Sequence, residues 1–398
     1  MLIKNKNFLV ILFLWYLLPF FYLIVVKNIF LPKITLILIL YFTGLFVGYK
    51  ASINHHISSR VTFPKIDLIS FIILVTILIQ ILGLTKFALE GLDIRYRRNE
   101  IFSNAYLLFG SSMLYTLYNS FLFPAIVCVI IYVFTYRNRK LDQSDIKTLV
   151  LCFLILIADT VLKLSRFPLM FLIFFLFFYN YKIGIKRKYF IVGAVMLILS
   201  SQMIVFFRQF YYDNAINSYL DVFTFEHFDK TIIGYQYYGY LLLDKMIVNK
   251  PVLGNPEELN CLAFVFYMLE ILTTKFGVFI SFAWENTNLL LSTGTYIDNA
   301  KAYINAFSTN FLPIYLDFGF IGILIFGLYS GFIFGYQTSS RLFMFIKHLF
   351  FFIMFFGIYQ PIILFFYGLF VSPIFVLLFA KIQIHRQQEK FMEASRIS

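Results

Sequence analysis

The stretch Asn305-Ala-Phe-Ser-Thr-Asn-Phe-Leu-Pro-Ile-Tyr-Leu-Asp-Phe-Gly-Phe-Ile-Gly322 marks the point where a long, mostly polar segment gives way to an apolar one. Before it, residues 208–301 form an aromatic-rich segment of a length that, in compact proteins, is typically functional or disordered. Its content of Tyr, Phe and Leu is too high for disorder. We therefore predict one large, ordered, water-facing loop set between membrane helices.

The composition of the chain indicates a membrane protein. Of its 398 residues, 61% are hydrophobic and 13% are charged, whereas a soluble domain carries about 25% charged residues. A membrane-crossing helix needs about 20 apolar residues, and shorter runs suffice in a thin bilayer. The segments that meet this criterion are residues 8–26, 34–49, 66–84, 112–136, 148–164, 167–181, 189–207, 311–336, 343–359 and 362–380. The predicted fold class is an all-α polytopic membrane protein with about ten transmembrane helices, at most about twelve.

The distribution of charge predicts the orientation. The net charge of +13 comes from basic residues scattered between the apolar segments, which is typical of positive-inside topology and of attraction to anionic lipid, not of nucleic-acid binding. Lys and Arg accumulate on the side of both termini, so we predict cytoplasmic termini and an extracytoplasmic loop. Residues 259–284 are apolar enough for a further span, but that would place the basic C-terminal tail outside. A helix lying in the interface fits the charge rule better.

Three parts follow from this layout. Residues 1–207 form a seven-helix N-terminal membrane part, and residues 208–309 form the extracytoplasmic loop, with short or interfacial helices, as an active-site cap. Residues 310–398 form a three-helix C-terminal membrane part with a cytoplasmic tail.

Ionisable residues at the outer ends of spans are candidates for function, because charges near the bilayer are costly. Asp159, Lys163 and Arg166 have spacings of four and three, which place them on one helix face. One interpretation is a structural pair of Asp159 with Lys163, with Arg166 reaching to the interface. The other is a site for an anionic substrate.

Further arginines are predicted outside the membrane, Arg208 and the group of Arg95, Arg97 and Arg98. Arg208 stands where the seventh span ends, either paired locally with Asp213 or available to an anion. Arg95 lies in a loop that either extends this basic site or is a solvated charge cluster. A guanidinium offers a planar fork of donors that matches phosphate oxygens, so these arginines suit a lipid-linked pyrophosphate.

His227 is the only histidine in a predicted extracytoplasmic segment, within Thr224-Phe-Glu-His-Phe-Asp-Lys230. A neutral imidazole can accept a proton from an attacking hydroxyl, and a neighbouring carboxylate can orient it. The alternative is a solvent-exposed or hydrogen-bonded loop histidine. The run Tyr235-Gln-Tyr-Tyr-Gly-Tyr240 offers aromatic faces that pack equally well against sugars or against one another.

Motifs for cofactor chemistry are not found in the sequence. There is no Gly-rich phosphate loop, no nucleophile elbow and no zinc-ligand spacing. We therefore expect neither a metal nor a cofactor.

The layout of the chain resembles the Wzy-type polymerases of O-antigen and capsular polysaccharide. The resemblance depends on the number of spans, the large outer loop in the second half, and the loop exit from Asn305 to Gly322. It also includes the basic residue in Leu164-Ser-Arg166-Phe-Pro168 and Arg208 at the start of the loop. The Arg-x10-Gly and His-x10-Gly motifs of some members do not occur here, because Tyr219 and Tyr238 stand at the glycine positions.

The resemblance implies transfer of a growing polyprenyl-pyrophosphate-linked glycan to a lipid-linked repeat unit. The reaction would occur on the outer face of a bacterial cytoplasmic membrane, with a chain-length regulator and a flippase as protein partners and lipid around the protein. Alternatives are an O-antigen ligase, which shares the chemistry with a different acceptor, and a non-enzymatic flippase or transporter of lipid-linked glycans. The expected catalytic residues are His227, Arg166 and Arg208. The expected substrate-binding residues are Arg95, Asp159, Lys163, Tyr235, Tyr238, Asn305, Thr309, Tyr315 and Asp317.

Overall fold

The computed structural model describes residues 5–57, 66–90, 106–136, 141–163, 165, 167–184, 186–210, 234–249, 294–297, 302–305, 309–338 and 340–358. Its α-helices are α1 (Asn5–Val25), α2 (Pro32–Ser52), α3 (Ile66–Glu90), α4 (Tyr106–Phe109), α5 (Ser112–Leu117), α6 (Phe123–Tyr136), α7 (Gln143–Lys163), α8 (Phe167–Ile183), α9 (Arg187–Phe210), α10 (Gly234–Asn249), α11 (Phe311–Gly335) and α12 (Arg341–Phe356). A π-helical segment, Tyr118–Leu122, joins α5 to α6. The short strands are β1 (His56–Ile57), β2 (Gly294–Ile297), β3 (Ala302–Asn305) and β4 (Gln337–Thr338).

Helices long and apolar enough to cross a membrane make this an all-α membrane protein, with two small strand pairs added. Five such segments occur in the described part of the chain: Asn7–Val25, Pro32–Ser52, Ile69–Lys86, Met113–Thr135 and Phe311–Gly335. Each coincides with a predicted span. Phe167–Tyr179 and Ile191–Ser200 are shorter apolar helices, and the predicted span 362–380 lies outside the described residues.

The predicted loop contains more regular structure than the sequence suggested. Helix α9 continues to Phe210, so Arg208 lies in its last turn and not in the connection that follows. Helix α10 lies within the predicted loop, and β2 and β3 form an antiparallel pair in which Gly294 is opposite Asn305. This strand pair was not predicted. The segment 259–284 lies outside the described residues.

Helices α2 and α11 pack backbone against backbone. Their contact is formed by glycines at four-residue spacing, which are Gly44 and Gly48 on α2 and Gly327, Gly331 and Gly335 on α11. A Cβ at Gly331 would collide with the carbonyl oxygen of Leu45, and one at Gly48 with that of Leu328. Small residues at this spacing are the usual means of close helix packing in membranes. The sequence analysis did not identify this contact.

The same two helices define one end of the bundle. Strand β1 pairs in parallel with β4, and the carbonyl of His55 accepts a hydrogen bond from the amide of Gln337 at 3.0 Å. Since β1 follows α2 and β4 follows α11, the two helices run in the same direction and finish together. We call this the strand end of the bundle and the opposite one the far end.

A buried lysine closes the strand end. The side chain of Lys347 is 1% exposed, and its ammonium donates to the carbonyls of Phe334, at 3.4 Å, and of Tyr336. These carbonyls belong to the last turn of α11, where the negative end of the helix dipole favours a cation. The charge is therefore satisfied by backbone and needs no carboxylate.

Phenylalanine side chains form the contact between α8 and α12. Phe175 and Phe352 stack with ring centroids 5.5 Å apart, and Phe171 meets Phe356 edge to face at 4.8 Å. Such pairs add about 0.5–1.5 kcal/mol beyond the area they bury. This aromatic layer holds the start of α8 against the end of α12.

Helix α11 is broken at Gly319. This residue has φ 61° and ψ −150°, a conformation open essentially only to glycine. Residues 311–318 therefore form a separate helical segment, which turns back so that Ile314 and Phe318 lie against Gly322. At its start the ring of Phe311 lies 5.0 Å from that of Tyr41. This break was not predicted from the sequence.

Substitution of Gly331 tests the helix contact. We expect Gly331→Ala to destabilise the protein by about 1–3 kcal/mol, because the added methyl group forces α2 and α11 apart. The matched control is Gly193→Ala in α9, where a Cβ would meet nothing within 4 Å. Thermal unfolding in detergent measures both variants. Equal melting temperatures would show that the close contact does not contribute to stability.

Candidate functional site at the far end of the bundle

The far end has a recessed floor formed by the end of α12 and the turn from α7 into α8. Trp15 stacks on Phe355 with ring centroids 4.0 Å apart, and α1 continues ten residues further, to Val25. Gly83 lies against Leu162, and α3 continues seven residues further, to Glu90. At 1.5 Å per residue, α1 and α3 extend roughly 10–15 Å past this floor. The floor therefore lies below the rim of the bundle.

A buried polar cluster lies beside the floor and joins three helices. The carboxylate of Asp159 on α7 pairs with the ammonium of Lys163 at 2.7 Å and accepts a hydrogen bond from the Tyr118 hydroxyl at 2.7 Å. The side-chain amide of Gln80 on α3 donates to the same hydroxyl, at 2.8 Å, and to the carbonyl of Ile155, at 2.8 Å. We call Gln80, Tyr118, Asp159 and Lys163 the floor cluster.

The two side chains of the ion pair differ in burial, since Asp159 is buried and Lys163 is partly exposed. The side chain of Asp159 is 1% exposed, whereas that of Lys163 is 20% exposed. The Lys163 ammonium also lies 5.0 Å from the ring centroid of Tyr118 and 4.6 Å from that of Phe123. A cation over aromatic faces is favoured when it is partly desolvated. Lys163 is thus the most exposed member of the floor cluster.

The π-helical segment presents Tyr118 to this cluster. Tyr118 is its first residue, and its side chain is fully buried. A π-turn adds one residue to a helix turn and is often found at functional sites. Ser111 caps the preceding helix by accepting from the amide of Leu114 at 3.4 Å.

The structure shows the ion pair of Asp159 with Lys163 that their four-residue spacing predicts. Arg166, the third member of that predicted face, lies outside the described residues, as do Arg95 and His227. An ion pair carries no net charge, so the floor cluster alone does not attract an anion strongly. A substrate site here therefore requires the arginines as well.

Removal of one hydroxyl tests the floor cluster. We expect Tyr118→Phe to lower the free energy of unfolding by about 1–3 kcal/mol, because the buried Asp159 and Gln80 each lose a partner. Tyr329→Phe is the matched control, since Tyr329 is 60% exposed. Chemical denaturation in micelles measures both. A Tyr118→Phe variant as stable as the control would mean that water replaces the hydroxyl.

A second polar group caps the end of α12. The backbone amide of Asn310 donates to the carbonyl of Gly357 at 2.8 Å, and its side-chain amide donates to that of Ile353 at 3.3 Å. The Tyr16 hydroxyl donates to the carbonyl of Met354 at 2.6 Å. These bonds satisfy carbonyls that a helix end leaves without partners. Asn310 is fully buried, and its Oδ1 has no hydrogen-bond partner among the described residues.

The predicted residues of the loop exit lie beside this group. Thr309 is fully buried, and its hydroxyl accepts from the amide of Phe311 at 3.3 Å. Tyr315 and Asp317 are half-buried on the segment 311–318, where Tyr315 lies 5.1 Å from Phe320. Asn305 is the last residue of β3. Thr309 therefore has a structural role at the helix start.

Helix α10 packs against α1 above the floor. The Tyr240 hydroxyl donates to the carbonyl of Tyr16 at 2.8 Å, and Tyr237 stacks on Tyr22 at 5.4 Å. Tyr237 and Tyr240 are buried, so this part of the aromatic run packs within the protein. Tyr238 is half-buried against Tyr237, and Tyr235 lies in the first turn of α10.

One carboxyl on α10 has a shifted pKa. Partial burial raises the pKa of Asp244 above its ordinary value, and the positive charge of Lys33 opposes that rise. The effect indicates that the start of α2 lies close to α10. It places another acidic group near the far end, in addition to Asp159 and Asp317.

Sequence reasoning missed several residues that form the site. Gln80 and Tyr118 come from other helices than Asp159, and Tyr16 and Asn310 come from opposite ends of the chain. Gln80 had a detectable signal, since a polar side chain inside an apolar span is a candidate for function. Within the described residues, no group of three or more His, Cys, Asp or Glu side chains could hold a metal ion.

Comparison with known proteins adds no assignment. No protein-family model, no curated protein and no solved structure matches this chain.

Proposed function

We propose that this protein is a Wzy-type polymerase of lipid-linked oligosaccharides. The observation that supports the proposal most directly is the partly exposed Lys163, held by the buried Asp159 at a recessed floor in the membrane part of the protein. Arg166 follows three residues later, and Arg208 lies in the last turn of α9. Because Asp159 offsets the charge of Lys163, the two arginines supply the net positive charge that suits a pyrophosphate at the surface of a bilayer.

The proposal includes an orientation and a span count. The far end faces outward from a bacterial cytoplasmic membrane, both termini are cytoplasmic, and the chain crosses the membrane about ten times. The lysines and arginines that flank the apolar segments support this orientation through the positive-inside rule. The large extracytoplasmic loop then lies over the recessed floor.

The proposed reaction joins a growing glycan to a new repeat unit. A hydroxyl of the acceptor repeat attacks the anomeric carbon of the donor, a glycosidic bond forms, and the bond to the polyprenyl pyrophosphate breaks. The leaving group is a stable anion, so it needs positive charge and no proton. In this scheme Arg166 and Arg208 stabilise the pyrophosphate and His227 accepts the hydroxyl proton.

The other predicted residues would bind the substrates. Lys163 and Arg95 would contribute charge near the pyrophosphate. The polar groups of Tyr238, Tyr315 and Asp317 are the half-buried candidates for sugar contacts.

A transporter of lipid-linked glycans is the second candidate, and one observation favours it. Helix α11 is broken at Gly319, and its first segment begins at the buried Asn310. Discontinuous helices with buried ends form the substrate sites of many secondary transporters. A ligase differs from the polymerase only in its acceptor, which no described residue identifies.

Reconstitution distinguishes these functions. We expect purified protein in liposomes to convert a synthetic polyprenyl-pyrophosphate repeat unit into a ladder of longer glycans, resolved by gel electrophoresis. Liposomes without protein are the control. Movement of the repeat unit across the bilayer without a ladder would identify a transporter. Transfer only to an added acceptor of another class would identify a ligase.

A further inference from the structure

A groove runs along the outside of the bundle between α1 and α2. Its volume is about 510 Å³, within the range of ligand pockets in proteins. Its walls include Phe13, Leu17 and Phe20 from α1 and Leu38, Ile39 and Phe42 from α2. It is distinct from the floor cluster, which lies among α3, α5, α6 and α7.

The chemistry of the groove suits hydrocarbon. Both walls belong to helices long and apolar enough to cross a membrane. The hydroxyl of Thr35, which also lines the groove, donates to the carbonyl of Leu31 within its own helix at 2.9 Å. That hydroxyl therefore makes its bond without a ligand. The lining also includes Thr43, and its remaining side chains are aliphatic or aromatic.

The groove extends toward the far end of the bundle. Helices α1 and α2 are antiparallel, so Phe20 and Thr35 form the end of the groove nearest the connection between them. Phe20 also meets Tyr240 of α10 edge to face, with ring centroids 6.3 Å apart. The groove thus ends beside the helix that packs above the recessed floor.

Positive charge lies at that same end. Lys27 follows α1 and Lys33 is in the first turn of α2, and both are exposed. The ammonium of Lys27 lies 5.8 Å from the ring centroid of Tyr237 on α10. Asp244 of α10 lies near Lys33 and offsets part of its charge, so a phosphate at this end would depend mainly on Lys27, and a chain attached to it would extend along the groove.

We propose that the groove holds the isoprenoid chain of a polyprenyl phosphate or pyrophosphate, with the phosphate near Lys27 and Lys33. The proposal depends on the proposed function, because it identifies where the lipid part of the acceptor repeat unit binds, whose phosphate is not the one that leaves beside Arg166 and Arg208. A single groove between two helices accommodates one chain, as polyprenyl lipids have. A phospholipid carries two chains and would leave one of them outside.

Photocrosslinking tests this assignment without requiring glycan transfer. The probe is a polyprenyl monophosphate with a diazirine on an isoprene unit near the phosphate, added to purified protein in liposomes. We expect mass spectrometry to locate the label on Leu38, Ile39 or Phe42. Excess unlabelled polyprenyl phosphate should reduce labelling about tenfold, whereas an equal excess of phospholipid should not.

Matched tryptophan variants on α2 sharpen the test. Ile39→Trp fills the groove and should reduce labelling about tenfold, since each buried methylene contributes to lipid affinity. Leu36→Trp changes a residue of similar exposure, 42% against 56%, that does not line the groove, and it should label like the wild type. Lys27→Gln combined with Lys33→Gln should weaken competition by the phosphate lipid.

The outcomes separate this proposal from the polymerase. Labelling that phospholipid competes away equally well would assign the groove to bulk lipid and overturn the proposal, whether or not the Trp variants fold. Labelling at other helices would do the same. A protein that labels in the groove but forms no glycan ladder would overturn only the polymerase. A protein that forms the ladder without labelling in the groove would overturn only the assignment of the groove to the polyprenyl chain.

Discussion

Arg166→Ala and Arg208→Ala are each expected to abolish long glycan while leaving the protein in the membrane. The expected cause is loss of charge stabilisation on the departing pyrophosphate, which loses its bond to the sugar in the transition state. Arg166→Lys and Arg208→Lys should restore little activity. A lysine supplies a point charge and cannot reproduce the planar, bidentate fork of a guanidinium. The measurement is the glycan ladder from reconstituted protein.

Arg341→Ala is the matched control for these variants. Arg341 is an exposed residue at the start of α12, at the strand end of the bundle, away from the recessed floor. It should support a normal ladder. If the lysine variants at 166 and 208 also perform like the wild type, the two arginines serve topology or packing, and their role at the pyrophosphate is wrong.

The membrane fold was predictable because bilayer burial imposes a simple rule on composition. Long apolar runs predicted α1, α2, α3 and α11, and the span over residues 112–136, and each has a counterpart among the helices long enough to cross. Hydropathy does not predict where a helix departs locally from regular α-helical geometry. Neither the π-helical segment at Tyr118 nor the break at Gly319 changes hydropathy, so neither was detectable by that measure.

The packing of the helices could be predicted only in part from the sequence. The spacing of Gly44 and Gly48, and of Gly327 and Gly331, is a recognised signal for close contact, and it was present in the sequence. Spacing alone does not show which two glycine-containing helices meet, because 258 residues lie between the end of α2 at Ser52 and the start of α11 at Phe311. The packing of α10 against α1 is likewise a tertiary result.

In the candidate site too, contacts within one helix could be predicted from the sequence, and contacts between helices could not. The pair of Asp159 and Lys163 follows from a four-residue spacing on one helix. In the structure, Nζ of Lys163 lies 2.7 Å from Oδ1 of Asp159. Tyr118 and Gln80 complete the cluster from neighbouring helices, and no local pattern relates them to Asp159. The sequence therefore predicted the charged half of the cluster and not the neutral half that fixes its position.

The proposed general base is testable by one substitution, His227→Ala. Loss of a general base usually lowers turnover by roughly two to four orders of magnitude, and we expect that range here. The base must be neutral to accept a proton, so wild-type activity should fall at acidic pH, where an imidazole becomes protonated. The variant should lose that pH dependence. Single-turnover transfer by purified protein, with a synthetic polyprenyl-pyrophosphate repeat unit, measures both effects.

Two comparisons separate a catalytic histidine from a structural one. Binding of the lipid-linked donor should survive in His227→Ala, because the arginines and the contacts of the lipid chain remain. His55→Ala, which changes an exposed histidine at the strand end, should retain full turnover. Near-normal turnover in His227→Ala would remove histidine from the mechanism. A carboxylate such as Glu226 or Asp317 would then be the next base to test, since each would need only to be deprotonated at neutral pH.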